Sequence, residues 1–371
     1  MCVFGVPLLY SVIDFDNSHE AWQRYDKMTA RELFKQYGVS ERLYKESFEP
    51  MLLVGLFAPG EQCSAAAALG MLYYFILAHQ PDFDVVWCRG TVGEKIFKPW
   101  IAEIDQAGGI VLTNMRVSDI VIDETEKATG VKCGEEFFAA DAIISSVSIT
   151  GMKKIVENSS TLNNYAQFRN LSNLKGIDVL ATRLWFDRKI NIPLPSNACF
   201  GFDVTTGWTF FDLNDLHDEY QNEPNSVIEA DFYHANQLLP MSDEQIINKV
   251  HRDLTTCIRG FGAAKVTDSS VIRVKEGVTH FFPGSYQNLL SAKTDIPNLY
   301  MSGDWIVTRH GSWSQEKAYV TGLEAANLIV SKFGGSKANI IPIEPDEPHI
   351  QVARTINKTV RNLTQFLPNF W

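Results

Sequence analysis

Paired cysteines are missing from this chain. Neither a C-x-x-C nor a paired Cys/His spacing occurs, so Cys2, Cys63, Cys88, Cys133, Cys199 and Cys257 do not form a zinc pattern and no metal is expected. Scattered in this way, they read as free thiols in a reducing compartment. Basic clusters are missing too. Lys and Arg number 33 against 44 Asp and Glu, a formal net charge of −11, which argues against nucleic acid as a partner because a phosphate footprint needs clustered cations. The longest uncharged run, between Glu61 and His79, falls short of the roughly 20 residues that a membrane-spanning helix requires. No transmembrane segment is therefore expected, and the N-terminus carries no legible address. Finally, G-x-G-x-x-G occurs nowhere, so the chain has no glycine-rich turn of the kind that cradles a pyrophosphate.

What is present is ample apolar material. At 371 residues and 45% hydrophobic content the chain can bury a large core, divided among two or three structural units. Thr29 and Glu32 form a capping box that opens a helix ended by Gly38, and Ser40 caps the next one. Ser64 to Ala78 reads as an apolar helix. Its aromatic run, Tyr73 to Leu77, reads first as plain core and second as a wall facing an extended apolar substrate.

Further on, the segment from Asp84 to Asp123 reads as a strand end, a helix over Val92 to Gln106, Gly108-Gly109, and the strand pair IVLTN and RVSDIVID. Thr129 to Ser148 reads as a hairpin turning at Cys133-Gly134-Glu135, followed by a strand over Ala142 to Val147. Strand-like runs then alternate with turns from Leu174 to Gly284, the pattern of an antiparallel or mixed sheet. Trp185, Trp208, Phe210, Phe211, Phe281 and Phe282 give that sheet aromatic faces and a candidate cavity floor. Ser242 and Gln245 cap a helix that presents Ile246, Val250, Leu254 and Cys257 on one side, ready to cover the sheet. His234, His251 and His280 have no partner at a diagnostic spacing, and no catalytic residue is assigned. Near the C-terminus, Val352, Ile356, Val360 and Leu363 form one side of an amphipathic helix, and the aromatic end, Phe366, Phe370 and Trp371, is expected to dock on the body, with a partner as the alternative.

The most informative stretch is Asn298 to Val330. Leu299, Tyr300 and Met301 form a short apolar strand, Gly303 permits a close turn, and Asp304 places a carboxylate at the strand's end, able to accept from a hydroxyl. Past a loop, Ala318, Gly322, Ala325, Ala326 and Ile329 fall at helical spacing. The first turn of that helix holds Ser312, Ser314 and Glu316 and directs free N–H groups at the Gly303-Asp304 corner.

This order resembles the C-terminal flavin signature of the amine oxidase and carotenoid desaturase superfamily: N-L-aromatic-x-x-G-D, a loop, then S-M-E-G-A-x-x-S-G-x-x-A-A. The resemblance implies that Gly303, Asp304, Gln315, Glu316 and Ala318 contact FAD, and that the backbone of Val117 holds its adenine. Two positions depart from the pattern: Gln315 stands for Met, and Lys317 stands for a Gly that lets the backbone approach the flavin. The residue two before Glu316 is Ser314, where the amine oxidases of the family carry a Tyr.

The implied fold is α/β with mixed α+β parts, an FAD/NAD(P)-binding fold of the amine oxidase type that is incomplete at the N-terminus. The expected division is a helical part of the substrate domain over 1–83, a flavin-domain segment over 84–150, a mixed-sheet substrate domain over 151–290, a second flavin segment over 291–332 and a tail over 333–371. Met1 aligns downstream of the family's ADP cradle, so the chain reads as the C-terminal two thirds of a member. The implied function is FAD-dependent oxidation of an apolar polyene-like substrate by hydride transfer to flavin, as in carotenoid desaturases and isomerases. The alternatives are a flavin amine oxidase and a non-catalytic ligand-binding or structural subunit. An apolar small molecule is the implied ligand, a partner subunit and peripheral membrane contact stay open, and the compartment is left between cytoplasm and plastid.

Overall fold

The computed structural model describes residues 5–73, 86–203, 205–310 and 314–364. Six helices open the chain: α1 (Gly5–Asp14), α2 (His19–Tyr25), α3 (Ala30–Gln36), the single turn α4 (Glu41–Leu43), α5 (Glu49–Gly55) and α6 (Ala65–Leu72). Their starts follow local chemistry. The Thr29 hydroxyl accepts from the Glu32 N–H while the Glu32 carboxylate accepts from the Thr29 N–H (2.8 Å), and Ser40 and Ser64 cap α4 and α6. Every residue of α6 is buried. Its alanines let neighbours approach closely, and Phe15, Leu33, Phe34 and Tyr44 pack in the same core. Tyr73 is buried and donates to the Asp346 carboxylate. The rest of its aromatic run lies outside the described residues.

The largest sheet is antiparallel throughout. It contains β5 (Gly176–Phe186), β6 (Ser196–Cys199), β7 (Gly207–Asp212), β8 (Val227–Tyr233) and β9 (Val266–Thr279), in the spatial order β6-β7-β8-β5-β9. Phe232 on β8 stacks on Trp208 of β7 with ring centroids 5.3 Å apart. Over this face lies α11 (Asp243–Cys257), opened by the expected Ser242/Gln245 capping box and burying Ile246, Val250 and Leu254. Full burial of each such side chain is worth about 1.5–3 kcal/mol. Trp208 and Phe210 thus serve the core, and of the aromatics expected to floor a cavity Phe281 lines one.

Between these parts lie α7 (Lys98–Gln106), the three-stranded meander β1 (Asp119–Ile122), β2 (Ala128–Cys133) and β3 (Glu136–Ala139), then β4 (Ile143–Ser145), α8 (Ile149–Asn158) and the short helices α9 (Ala166–Arg169) and α10 (Leu213–Leu216). The hairpin turns at Gly134 as expected, with φ +63°. Residues 110–114, read from sequence as a strand, form none. Ile110 is 80% exposed, and no neighbouring strand takes up the backbone there. β10 (Leu299–Met301) pairs in parallel with β4, and α12 (Ser314–Phe333) runs back past it to Gly334 and Gly335, both with positive φ. Ile143, Met152, Leu299, Met301 and Trp305 share one core, so stretches about 150 residues apart in sequence are joined.

The last helix, α13 (Pro348–Thr364), docks on α1. The aromatic end expected to dock lies outside the described residues. The apolar side of the helix, Val352, Ile356, Val360 and Leu363, faces outward, while Ile350 and Asn357 are buried. The cause is the buried Asp14 carboxylate, which accepts from Asn357 (2.5 Å) and pairs with Arg361 and Arg24. A buried carboxylate needs such partners, and the helix turns to supply them. Among the described residues, no helix is long and apolar enough to cross a membrane and no group of three or more His, Cys, Asp or Glu is placed to hold a metal ion.

Candidate functional site

The site begins at the end of β10. Its residues are buried, and the Leu299↔Ile143, Tyr300↔Ile144 and Met301↔Ser145 register carries the ladder to the turn, where the Ser302 N–H donates to the Ser145 carbonyl (2.9 Å). Gly303 then adopts φ +140°, a region that side chains rarely enter, and a Cβ there would meet the Trp305 ring at 3.3 Å. The Gly303 N–H donates to the Thr321 hydroxyl (2.9 Å), which donates in turn to the Lys317 carbonyl (2.8 Å). Trp305 is fully buried and its indole N–H donates to the Val147 carbonyl (3.1 Å). Thr321 and Trp305 therefore lock the turn onto α12 on one side and onto the chain after β4 on the other. Sequence reading singled out neither, because a threonine within a helix gives no local sign of a distant partner.

Asp304, held by that turn, lines a pocket whose roughly 830 Å³ of empty space includes open solvent at its mouth. The opposite walls come from far along the chain: Trp22 from α2, Leu56 and Phe57 after α5, Gly70 from α6, Val278 and Phe281 at the end of β9, and Tyr286 beyond it. Trp22 stacks on Tyr286 at 5.0 Å with 16° between the ring planes. The Trp22 indole N–H donates to Asn17 (2.7 Å), and the Tyr286 hydroxyl lies 3.0 Å from His19 Nδ1, so both rings are oriented as well as packed. Burial raises the Tyr286 hydroxyl above its ordinary value and keeps it protonated.

Lys317 enters the same space from the first turn of α12. The residue is half-buried, and its Nζ sits 5.3 Å from the centre of the Phe281 ring. Burial pushes the ammonium down to about 8, against the opposing pull of Asp304 and Glu324. Of the residues singled out from sequence, Gly303 and Asp304 meet at this corner. Gln315 and Glu316 are exposed on α12 and do not line the cavity, and Ala318 is half-buried behind it. Val117 is half-buried against the core that carries β10.

The family model described as flavin containing amine oxidoreductase matches residues 19–330. The chain belongs to that family. It is 23% identical over 339 residues to 15-cis-phytoene desaturase of Synechococcus elongatus, covering 89% of this chain and 69% of that protein. It is likewise 23% identical to the chloroplastic/chromoplastic 15-cis-phytoene desaturase of Capsicum annuum, of which the chain spans 56%. A probable zeta-carotene desaturase of Synechococcus elongatus is 20% identical, with 87% and 71% covered. Among solved structures, cyclohexylamine oxidase from Brevibacterium oxydans superposes with a TM-score of 0.63 at 13% identity, covering 89% of this chain and 74% of that one. That likeness establishes a shared fold, and with the family match it is the α/β flavin-binding fold expected from sequence.

The corner fits the family's flavin cofactor. Among the described residues the Asp304 carboxylate makes no hydrogen bond or ion pair, which leaves it open to a ligand hydroxyl, and the cavity beside it has flat aromatic walls that suit a planar ring.

Proposed function

We propose that this family member is an FAD-dependent oxidoreductase that takes a hydride from an apolar, polyene-like substrate. The observation that carries the reading is the joining of Asp304 to a pocket lined by aromatic and aliphatic side chains. When bound, the flavin supplies the hydride acceptor. The chain's own residues provide the setting. Gly303 lets backbone and ligand approach without a Cβ between them, and Asp304 accepts from a hydroxyl. Trp22, Leu56, Phe57 and Phe281 exclude water and hold an apolar body in place. Forming a new double bond would also release a proton from the carbon next to the one that gives up hydride, and with no histidine among the lining residues that proton would pass to solvent at the pocket mouth.

Oxidation of amines is disfavoured by Lys317, whose ammonium would repel a cationic substrate in the same enclosed space. The test is to purify the chain, load it with FAD, and mix it anaerobically with an apolar polyene. The expected result is bleaching of the flavin absorption together with a new conjugated product. Bleaching by a primary amine and not by the polyene would overturn the reading.

A further inference from the structure

Lys317 is unexplained by hydrocarbon oxidation. Its Nζ faces a cavity whose nearest wall is the Phe281 ring, and among the described residues it makes no hydrogen bond or ion pair. Asp304 attracts it from beyond pairing distance. Glu324 does too, but its carboxylate already accepts from the Thr308 hydroxyl (2.6 Å). Tyr286, the other titratable group lining the cavity, stays neutral. A pure hydrocarbon filling this space would strip the remaining water from the ammonium and give nothing in return, which is costly for a buried charge. A ligand oxygen that carries negative charge would instead gain a charge-assisted hydrogen bond. The first turn of α12, from which Lys317 projects, adds its N-terminal dipole with the same sign.

We propose that Lys317 is the polar anchor of this cavity, which takes a ligand with a flat or extended apolar body and one anionic oxygen group. That group is either a carboxylate on the substrate or the carbonyl edge of the cofactor ring, which takes on negative charge when the ring is reduced. The proposal rests on the cavity being the ligand site of the function proposed above, and it narrows that site's ligand from any polyene to an acidic one. Lys317 is a binding residue in this account and moves no electrons.

Two arms separate the sources. In the first, all-trans retinoate and retinol, which share a polyene and differ in charge, are titrated against the flavin-free chain by quenching of tryptophan emission, to which Trp22 contributes. The wild type should bind retinoate at least tenfold more tightly at pH 7. That preference should fade as pH rises through 8, vanish in Lys317→Met and persist in Lys317→Arg. In the second, reduced FAD is titrated anaerobically into the wild type and Lys317→Met. A loss of fivefold or more in FAD affinity, without a retinoate preference in the first arm, assigns the anionic group to the cofactor. Equal binding of retinoate and retinol by the wild type at pH 7 and 9.5, together with unchanged FAD affinity in Lys317→Met, would overturn the proposal. The wild-type pH series needs no variant and so survives any folding defect. A chain that never binds FAD would sink the oxidoreductase reading while leaving the retinoate comparison standing.

Discussion

The five-stranded sheet and the parallel pair of β4 and β10 are built from comparable apolar strands, yet they are supported very differently. In the sheet, β8 has a hydrogen-bonded neighbour on each side and α11 lies over one face, so Phe232, Trp208 and Leu254 lose all contact with water. In the pair, β4 has β10 on one edge and, among the described residues, nothing on the other, and Ile144 is left 40% exposed. The helix α7 buries none of its residues, with Trp100, Ile101 and Ile104 all facing outward. Local sequence can form an element, but burial depends on what lies beside it. The functional corner shows the same rule on a small scale. Gly303 and Asp304 sit at the end of the less supported pair, and they are held by Thr321 from α12 and by Trp305 from the shared core.

The comparison can be broken most forcefully in the sheet. Phe232→Ala removes a ring stacked on Trp208 at the centre of the core and should cost about 3–5 kcal/mol of stability in a denaturant titration. A cost near zero would mean that the sheet is not the well-supported region described. The junction between sheet and helical layer gives the next effect. His280, buried at the end of β9 and hydrogen-bonded to the Gln62 carbonyl (3.0 Å), is pushed down to about 4 by burial and by Lys175. Between about 4 and 6.5 the unfolded chain binds a proton there that the folded chain does not. Stability should therefore be full above pH 6.5 and fall by about 3 kcal/mol as pH drops toward 4, a slope that His280→Gln should flatten. The smallest effect belongs to the unsupported region. Ile110→Ser, at a position 80% exposed outside any strand, should change stability by less than about 0.5 kcal/mol. A large loss in that variant would show that residues 110–114 are held by contacts absent from this structure.

The two regions also divide what sequence could reveal. Thr29 with Glu32 and Ser242 with Gln245 were legible because a capping box is complete within four residues. The buried side of α11 was legible because its period faces a sheet that is present. The strand, turn and helix from β10 to α12 could be read for the same local reasons, and the family resemblance drawn from it agrees with the match over residues 19–330. The failures are all relational. The segment at 110–114 has strand composition but no adjacent strand. The outward face of α13 was not legible because Asp14, more than 330 residues away, decides which side turns inward. The motif singled out Gln315 and Glu316, both exposed on α12, and gave no sign that Lys317 beside them lines the cavity. The walls from Trp22, Phe281 and Tyr286 could not be assembled from sequence, since nothing local connects them.

The central claim is that the turn after β10 presents Asp304 to a flavin, and equilibrium binding of FAD to the wild type and to Asp304→Ala tests it most directly. Asp304 has no hydrogen bond or ion pair to lose among the described residues, so the variant should keep the wild-type denaturation midpoint to within a degree or so while its FAD affinity falls by tenfold or more. Equal affinity in the two proteins would contradict the account.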